Sequence, residues 1–185
     1  MPIDPAVAKL HAENVRANVI PRSTVLNLDP AIVQKIASRV KVFRGMSTEC
    51  LTSTLAMAEH QPLEAGASVF KEGDFGSSFY VLIAGKVVVE KIKNGQVVSL
   101  AQLGPGECFG EMALVRTYVR TATVRALGTA AALRFDRERI DAYADSARII
   151  YRNIASVLAS RLDESSELLA DLVVRTGETR AAPLD

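Results

Sequence analysis

The chain has 185 residues, 49% of them hydrophobic and 23% charged, so it can bury a core and is not disordered by composition. Its 22 basic and 21 acidic residues leave a net charge of +1, which argues against non-specific binding to nucleic acid or to an anionic membrane. No apolar run approaches the ~20 residues of a membrane span, and no secretory signal opens the chain. Two cysteines are too few for a disulfide framework or a Cys/His zinc site. We therefore expect a soluble protein of the cytoplasm.

The first part of the chain is predicted to be helical. Helix starts are indicated at Asp4 and at Asp29, because each is an N-capping residue followed by proline. Ser47 indicates a third start. Residues 1–40 are interpreted as an N-terminal helical extension to the domain that follows.

The middle third is predicted to be a sheet of short strands. Nine of the eleven glycines lie between Gly66 and Gly128, and glycine is typical of tight turns. Asn94-Gly95 is the strongest hairpin signal in the chain. Strands are predicted over residues 66–70, 79–83, 87–93, 97–100, 121–127 and 130–135. Short strands at this spacing indicate a barrel or a jelly roll rather than an open parallel sheet.

The last part is predicted to be helical, with starts near Asp136 and Asp145. An apolar stripe at helical spacing consists of Ile150, Ile154, Val157, Leu158, Leu162, Leu168, Leu169 and Leu172. We expect part of this stripe to pack on the strands. Its length leaves a second interpretation open, a surplus face for a second subunit.

The segment from residue 108 to residue 124 carries the residues best suited to ligand chemistry. Gly110 permits close approach of the backbone to a ligand, and residues 111–115 can form a short helical turn whose free N–H groups attract an anion. The carboxylate of Glu111 would repel that anion, but it can accept hydrogen bonds from hydroxyl groups such as those of a ribose. Arg120 offers a planar pair of donors to a phosphate. Together these groups indicate a nucleotide site.

The same segment resembles the phosphate-binding cassette of cyclic-nucleotide-binding domains. These domains occur in the bacterial catabolite activator family, in regulatory subunits of cyclic-nucleotide-dependent kinases and in cyclic-nucleotide-gated channels. The matching residues are Phe109, Gly110, Glu111, Ala113, Leu114, Arg120, Ala122 and Val124. Residues 72–74, Tyr80, residues 85–87 and residues 104–107 resemble the barrel signature of the family, so the resemblance covers roughly residues 40–160.

The resemblance implies an α+β fold, an eight-stranded antiparallel β-barrel of the jelly-roll (double-stranded β-helix) type flanked by N-terminal and C-terminal helices. The cyclic-nucleotide-binding domain would extend over residues 41–163. Residues 164–185 would be the end of the C-terminal helix and a tail.

The resemblance also implies the roles of six ligand-binding residues, Gly110, Glu111, Met112, Ala113, Arg120 and Thr121. Arg120 would pair with the cyclic phosphate, and Glu111 would accept the ribose 2′-hydroxyl. Backbone N–H groups near Gly110, Met112 and Ala113 would bind the remaining phosphate oxygens. Thr121 would lie beside the phosphate and the base, and the last helix would close over the base. No catalytic residue, metal or cofactor is expected.

Two positions depart from the family pattern. Val119 replaces the proline that often precedes the arginine, which loosens the loop without removing a contact. Thr121 stands where many cAMP-binding members have alanine or serine, and its hydroxyl could also reach the exocyclic amine of guanine. The ligand is therefore cAMP or cGMP, with cAMP expected ahead of cGMP.

Three alternatives remain open at the level of sequence. Glu111 and Arg120 could instead form a structural salt bridge at the barrel rim, or the fold could be a degenerate, ligand-free scaffold for dimerisation or interaction. An enzyme is not favoured, because His11 and His60 do not supply a set of metal ligands. The resemblance thus predicts a regulatory sensor, possible as a homodimer, whose last helix moves when the ligand binds. The moved helix would be recognised by a second protomer or by an unidentified protein partner. We expect no DNA-binding domain and no contact with DNA or a membrane.

Overall fold

The computed structural model describes residue 36, residues 38–115 and residues 118–176. The helix predicted from Asp4 and most of the helix predicted from Asp29 lie outside the described residues. A 3-10 turn (Lys41–Phe43) precedes helix α1 (Thr48–Ala56). Helix α1 begins as expected, because the Ser47 side chain accepts a hydrogen bond from the Cys50 N–H at 3.2 Å and caps the first turn.

Eight strands follow α1, and every described strand pair is antiparallel. They are β1 (Glu59–Leu63), β2 (Ser68–Phe70), β3 (Ser78–Ala84), β4 (Val87–Lys93), β5 (Gln96–Leu103), β6 (Cys108–Phe109), β7 (Thr123–Ala126) and β8 (Ala130–Asp136). One sheet has the order β1-β8-β3-β6, and the other has the order β2-β7-β4-β5.

The closed eight-stranded barrel is not confirmed, because the strand ladders of the described residues form two separate four-stranded sheets. The two shortest strands lie at sheet edges, β6 with two residues and β2 with three. Such short edges offer few N–H and C=O groups to a ladder that would join the sheets. The antiparallel arrangement itself agrees with the prediction.

The hairpin between β4 and β5 forms at the predicted place. Asn94 and Gly95 have φ angles of 53° and 76°. Positive φ at both central residues is the backbone that a two-residue hairpin of this type requires.

The first sheet is covered on both faces. Alternate residues of β3 and β8, such as Leu82 and Ala132, pack against Val87 and Val124 of the other sheet. The intervening residues, such as Phe79 and Phe135, pack against the helices. This two-sided burial explains why β3 is a continuous apolar run rather than an alternating one.

Three helices complete the described fold: α2 (Met112–Val115), α3 (Arg137–Asp141) and α4 (Ala144–Thr176). Helix α4 continues without a break through the polar residues 163–167. Its first half is anchored in the core, where Ile150 and Ile154 are fully buried. None of the described helices combines the length and the hydropathy needed to traverse a bilayer.

Candidate ligand-binding pocket

A cavity of about 660 Å³ opens between the two sheets, the segment around α2 and one side of α4. All six residues predicted to bind a ligand line this cavity: Gly110, Glu111, Met112, Ala113, Arg120 and Thr121. Helix α4 contributes Leu158, Arg161, Leu162, Glu164, Ser165 and Leu168 to the opposite wall. The predicted site residues are thus brought together, and the last helix forms a wall of the same cavity.

Gly110 joins β6 to α2 in a conformation that favours glycine. Its φ is +75°, and a Cβ atom at this position would lie 2.8 Å from Nη1 of Arg120. The turn closes when the Ala113 N–H donates to the Gly110 carbonyl at 3.2 Å. The Ala113 N–H proposed for the phosphate is therefore engaged in the turn.

The guanidinium of Arg120 is buried, with the residue only 5% exposed. Its Nη1 donates to the carbonyl oxygens of Ser78 at 2.8 Å and Gly110 at 3.0 Å. Its Nε is buried without a hydrogen-bond partner. Burial lowers the pKa of Arg120, but arginine stays protonated in proteins.

No carboxylate among the described residues forms an ion pair with Arg120. A buried cation normally has such a partner, because desolvation of an unpaired charge is costly. Arg120 instead interacts with the carboxylates of Asp74 and Glu111 only from beyond ion-pair distance, and it keeps N–H donors that no described residue uses at the wall of a cavity. This arrangement favours an anionic ligand.

The partner of Glu111 is on α4. Glu111 is only 3% exposed, and its Oε1 accepts a hydrogen bond from Nη1 of Arg161 at 2.6 Å. Nη2 of the same arginine donates to the Cys108 carbonyl at 2.6 Å. The alternative of a Glu111–Arg120 salt bridge is therefore wrong, because the carboxylate is neutralised by α4 instead.

Three residues around the cassette were not singled out from the sequence. Arg161 gives one signal, a cation between Leu158 and Leu162 in the apolar stripe. Gly76 gives no sequence signal of its role, although a Cβ atom at this position would lie 2.7 Å from Nη2 of Arg120. Phe70, at the end of β2, also lines the cavity.

Thr121 and Met112 lie at the open side of the cavity. Thr121 is exposed, and its hydroxyl makes a weak contact with the sulfur of Met112 at 3.8 Å. Among the described residues, no group of three or more His, Cys, Asp or Glu side chains lies close enough together to hold a metal ion.

The pocket thus combines an unpaired buried cation, a glycine turn and a buried carboxylate that can accept hydrogen bonds. This combination of groups is chemically suited to a small anionic ligand that also carries hydroxyl groups. All six expected residues line this cavity, as do Phe109, Ala122 and Val124 of the cassette, whereas Leu114 packs in the core.

Residues 60–146 match the family model of the cyclic nucleotide-binding domain, and this part of the chain belongs to that family. The chain is 33% identical over 133 residues to the cyclic AMP receptor protein of Thermus thermophilus, covering 71% of this chain and 61% of the relative. It is 26% identical over 142 residues to a CRP-like cAMP-activated global transcriptional regulator of Mycobacterium tuberculosis, covering 76% and 63%. The chain therefore spans about three fifths of the length of these curated relatives.

The fold of this chain is similar to that of a solved structure. The crystal structure of the Thermus thermophilus catabolite activator protein superimposes with a TM-score of 0.65 at 32% identity, covering 72% of this chain and 63% of that chain.

Proposed function

We propose that this protein binds a cyclic mononucleotide, with cAMP as the preferred ligand, and acts as a regulatory sensor rather than as an enzyme. The observation that carries the proposal is the buried guanidinium of Arg120, which has no carboxylate partner among the described residues and faces the cavity. Two similar proteins are named as responding to cAMP, which supports this nucleotide over cGMP.

The proposed ligand fits the polarity of the cavity. Its phosphate would take the donors of Arg120 that the described residues leave unused, Nη2 and Nε, together with backbone N–H groups at the start of α2. Its ribose hydroxyl would donate to Glu111. Its base would lie towards Thr121 and the wall formed by α4, where apolar side chains such as Leu158 and Leu162 offer contact area.

Ligand capture would be coupled to α4 through the Glu111–Arg161 ion pair. A ribose hydroxyl that donates to Glu111 competes with Arg161 for the carboxylate, so the contact between the cassette and α4 changes on binding. A second contact joins the cassette to the start of α3, where the Arg137 guanidinium lies 5.4 Å from the ring centroid of Tyr118. The ligand shifts α4 only to the extent that it binds the two helix positions with different affinity.

Calorimetric titration of nucleotide-free protein with cAMP and with cGMP tests the ligand. We expect micromolar or tighter binding of cAMP and weaker binding of cGMP. Arg120→Ala should weaken cAMP binding about 100-fold or more, because the phosphate loses its charged partner inside a desolvated pocket. Arg139→Ala is the matched control, since this half-exposed arginine pairs with Glu59 outside the cavity. No binding of either nucleotide by the folded protein would instead support the ligand-free scaffold.

Hydrogen exchange along α4 tests the coupling. Addition of cAMP should change the protection of the segment around Arg161, and Arg161→Ala should reduce that change while cAMP still binds. An α4 whose exchange is the same with and without saturating cAMP would contradict the coupling.

We also propose that the second half of α4 packs against a second copy of the chain. Leu158, Leu162, Ser165, Leu169 and Leu172 recur at spacings of four and three residues, the pattern of a coiled-coil seam. Leu158 packs on the core, whereas Leu169 and Leu172 are 61% and 57% exposed, so the end of this seam lacks a partner among the described residues. Light scattering should give a dimer mass that the double change Leu169→Glu and Leu172→Glu converts to a monomer. A monomeric wild-type protein at about 100 μM, well above the Kd of a stable dimer, would contradict the proposal.

A further inference from the structure

The flat face of the Arg120 guanidinium lies against an aromatic ring. Its Cζ is 4.2 Å from the ring centroid of Phe70 and 5.9 Å from that of Tyr80. Phe70 ends β2 in one sheet, whereas the carbonyl groups that accept from Nη1 belong to Ser78 and Gly110 at the other sheet. The guanidinium is therefore held between the two sheets, with a ring on one side and carbonyls on the other.

Phe70 is itself held in place by other rings. Its centroid lies 5.9 Å from that of Tyr80 and 6.1 Å from that of Phe109. The last two rings are stacked, with centroids 5.1 Å apart. Because this cluster is packed between the sheets, the ring under Arg120 has little freedom to turn away.

An aromatic ring suits an anion-binding arginine better than a carboxylate does. The negative face of the ring attracts the cation, and the attraction grows when both are withdrawn from water. A carboxylate would neutralise the guanidinium and compete with an incoming anion for its N–H donors. The ring covers only the flat face of Arg120, and Nη2 at its edge carries no hydrogen bond to a described residue.

The surroundings of Arg120 also fix its orientation. Nη1 is bound by two carbonyls, and the absence of a side chain at Gly76 leaves the space that Nη2 occupies. Rotation of the guanidinium would move its face off the Phe70 ring and break the bonds of Nη1. A donor that is already oriented loses less conformational entropy when a ligand binds.

We propose that Phe70 is the positioning residue for Arg120. Its ring orients the guanidinium and stabilises the positive charge of that group in the ligand-free pocket. The proposal rests on the proposed function only for the identity of the anion. The contact itself is testable in the protein without any nucleotide.

The first experiment is a double-mutant cycle on urea unfolding without ligand. It compares Phe70→Leu, Arg120→Met and the double variant with the wild-type protein. Phe70→Leu should lower the folding equilibrium constant about five- to tenfold more when Arg120 is present than in the Arg120→Met background. Equal effects in the two backgrounds would show that Phe70 only fills space, and would overturn the proposal.

The second experiment measures the affinity for cAMP. Phe70→Leu should weaken binding about tenfold, which corresponds to about 1.4 kcal/mol. Phe70→Tyr keeps the aromatic face and should restore affinity to within about twofold of the wild type. Val69→Ala, a truncation of the preceding residue in β2, is the matched control, and it should lower stability without lowering affinity.

The two experiments separate this proposal from the proposed function. A wild-type protein that binds neither nucleotide but shows the unfolding coupling contradicts the sensor and supports the positioning role of Phe70. A wild-type protein that binds cAMP with unchanged affinity after Phe70→Leu contradicts the positioning role and leaves the sensor in place.

Discussion

Two arginines donate hydrogen bonds to Ser78, and their electrostatic surroundings differ. Arg134, on β8, donates to the Ser78 hydroxyl at 3.1 Å, to Glu59 at 2.7 Å and to Asp136 at 2.6 Å. Arg120 donates to the Ser78 carbonyl, rests on an aromatic ring and has no carboxylate partner in the described part of the chain. One serine thus lies between a neutralised arginine and one whose charge is unpaired.

The difference between Arg134 and Arg120 distinguishes an arginine that stabilises the fold from one whose charge is suited to binding a ligand. Arg134 has two carboxylate partners, so its removal leaves Asp136 without an ion-pair partner among the described residues and leaves Glu59 with Arg139 alone. Arg120 has a desolvation cost that the more distant Asp74 and Glu111 offset only in part, because burial still lowers its pKa, and no described carboxylate forms an ion pair with it, so its removal should relieve the empty pocket. Binding groups commonly cost stability in this way, because their partner is the ligand.

Exchange of each arginine for methionine gives the largest expected contrast. Arg120→Met should weaken cAMP binding about 100-fold or more while leaving the free energy of unfolding of the ligand-free protein unchanged or up to about 1 kcal/mol higher. Arg134→Met should leave affinity within about threefold and lower the free energy of unfolding by about 2 kcal/mol. Calorimetry and urea unfolding measure the two quantities. The comparison fails if both variants change stability in the same direction by similar amounts.

Gly110→Ala tests whether the pocket depends on close approach of the backbone to Arg120. The change adds strain at φ +75° and places Cβ 2.8 Å from Nη1, so affinity should fall about 30-fold and the free energy of unfolding by about 1–2 kcal/mol. Gly66→Ala is the control, because Gly66 has a similar φ of +79° but no atom within 4 Å of a Cβ. It should lose similar stability and keep its affinity for cAMP. Equal affinities for cAMP in the two variants would show that the contact between a Cβ atom at residue 110 and Arg120 does not control binding.

Gly76→Ala should have a smaller and more selective effect. Gly76 lies outside the left-handed region, and its added Cβ would meet only the guanidinium of Arg120, at 2.7 Å from Nη2. The guanidinium would have to shift away from its contacts with Phe70 and the two carbonyls, so we expect the free energy of unfolding to fall by about 1 kcal/mol and the affinity for cAMP to fall about tenfold. A loss of stability without a loss of affinity would show that Gly76 serves the fold and not the arginine.

The smallest effect concerns the two thiols, of which Cys108 lies next to the Glu111–Arg161 ion pair. Burial raises the pKa of Cys108 to about 12, whereas an unfolded thiol titrates near about 8.5. The folded thiol therefore stays neutral at pH 8.5, and any stability it contributes is lost as the pH rises towards 12. Iodoacetamide at pH 8.5 should modify Cys50, which is only partly buried, before Cys108. Mass spectrometry of partly alkylated protein measures the order, and faster labelling of Cys108 would contradict the buried, neutral thiol.

Much of the site could be predicted because its residues are close in sequence. Gly110, Glu111 and Arg120 lie within one segment of eleven residues, and each has chemistry that is evident from its residue type. The strands β3, β4 and β5 were predictable for a similar reason, since apolar runs and the Asn94-Gly95 turn are local signals. Strand β1 was not predicted, because its sequence Glu-His-Gln-Pro-Leu is polar and contains a proline that is tolerated only at a sheet edge.

The partners of the site residues could not be predicted, because they come from distant elements. Arg161 is 50 residues from Glu111 along the chain, and Phe70 comes from the opposite sheet. Sequence reasoning paired Glu111 with Arg120 as the alternative to a ligand site, because the two charges are near in sequence. The structure instead places the carboxylate against α4 and the guanidinium against an aromatic ring.

The sequence by itself determined most of the local elements: the turns at glycine, the strands other than β1 and β6, the cassette between residues 109 and 124 and the helices that begin after Ser47, after Asp136 and near Asp145. These depend on backbone conformation and on periodicity, which neighbouring residues decide. Only the tertiary structure decided that the strands form two sheets and that, among the described residues, Arg120 has no carboxylate in an ion pair while Arg134 has two. Charge compensation depends on which distant side chains the packing of sheets and helices brings within a few ångströms, and no spacing along the chain encodes that distance.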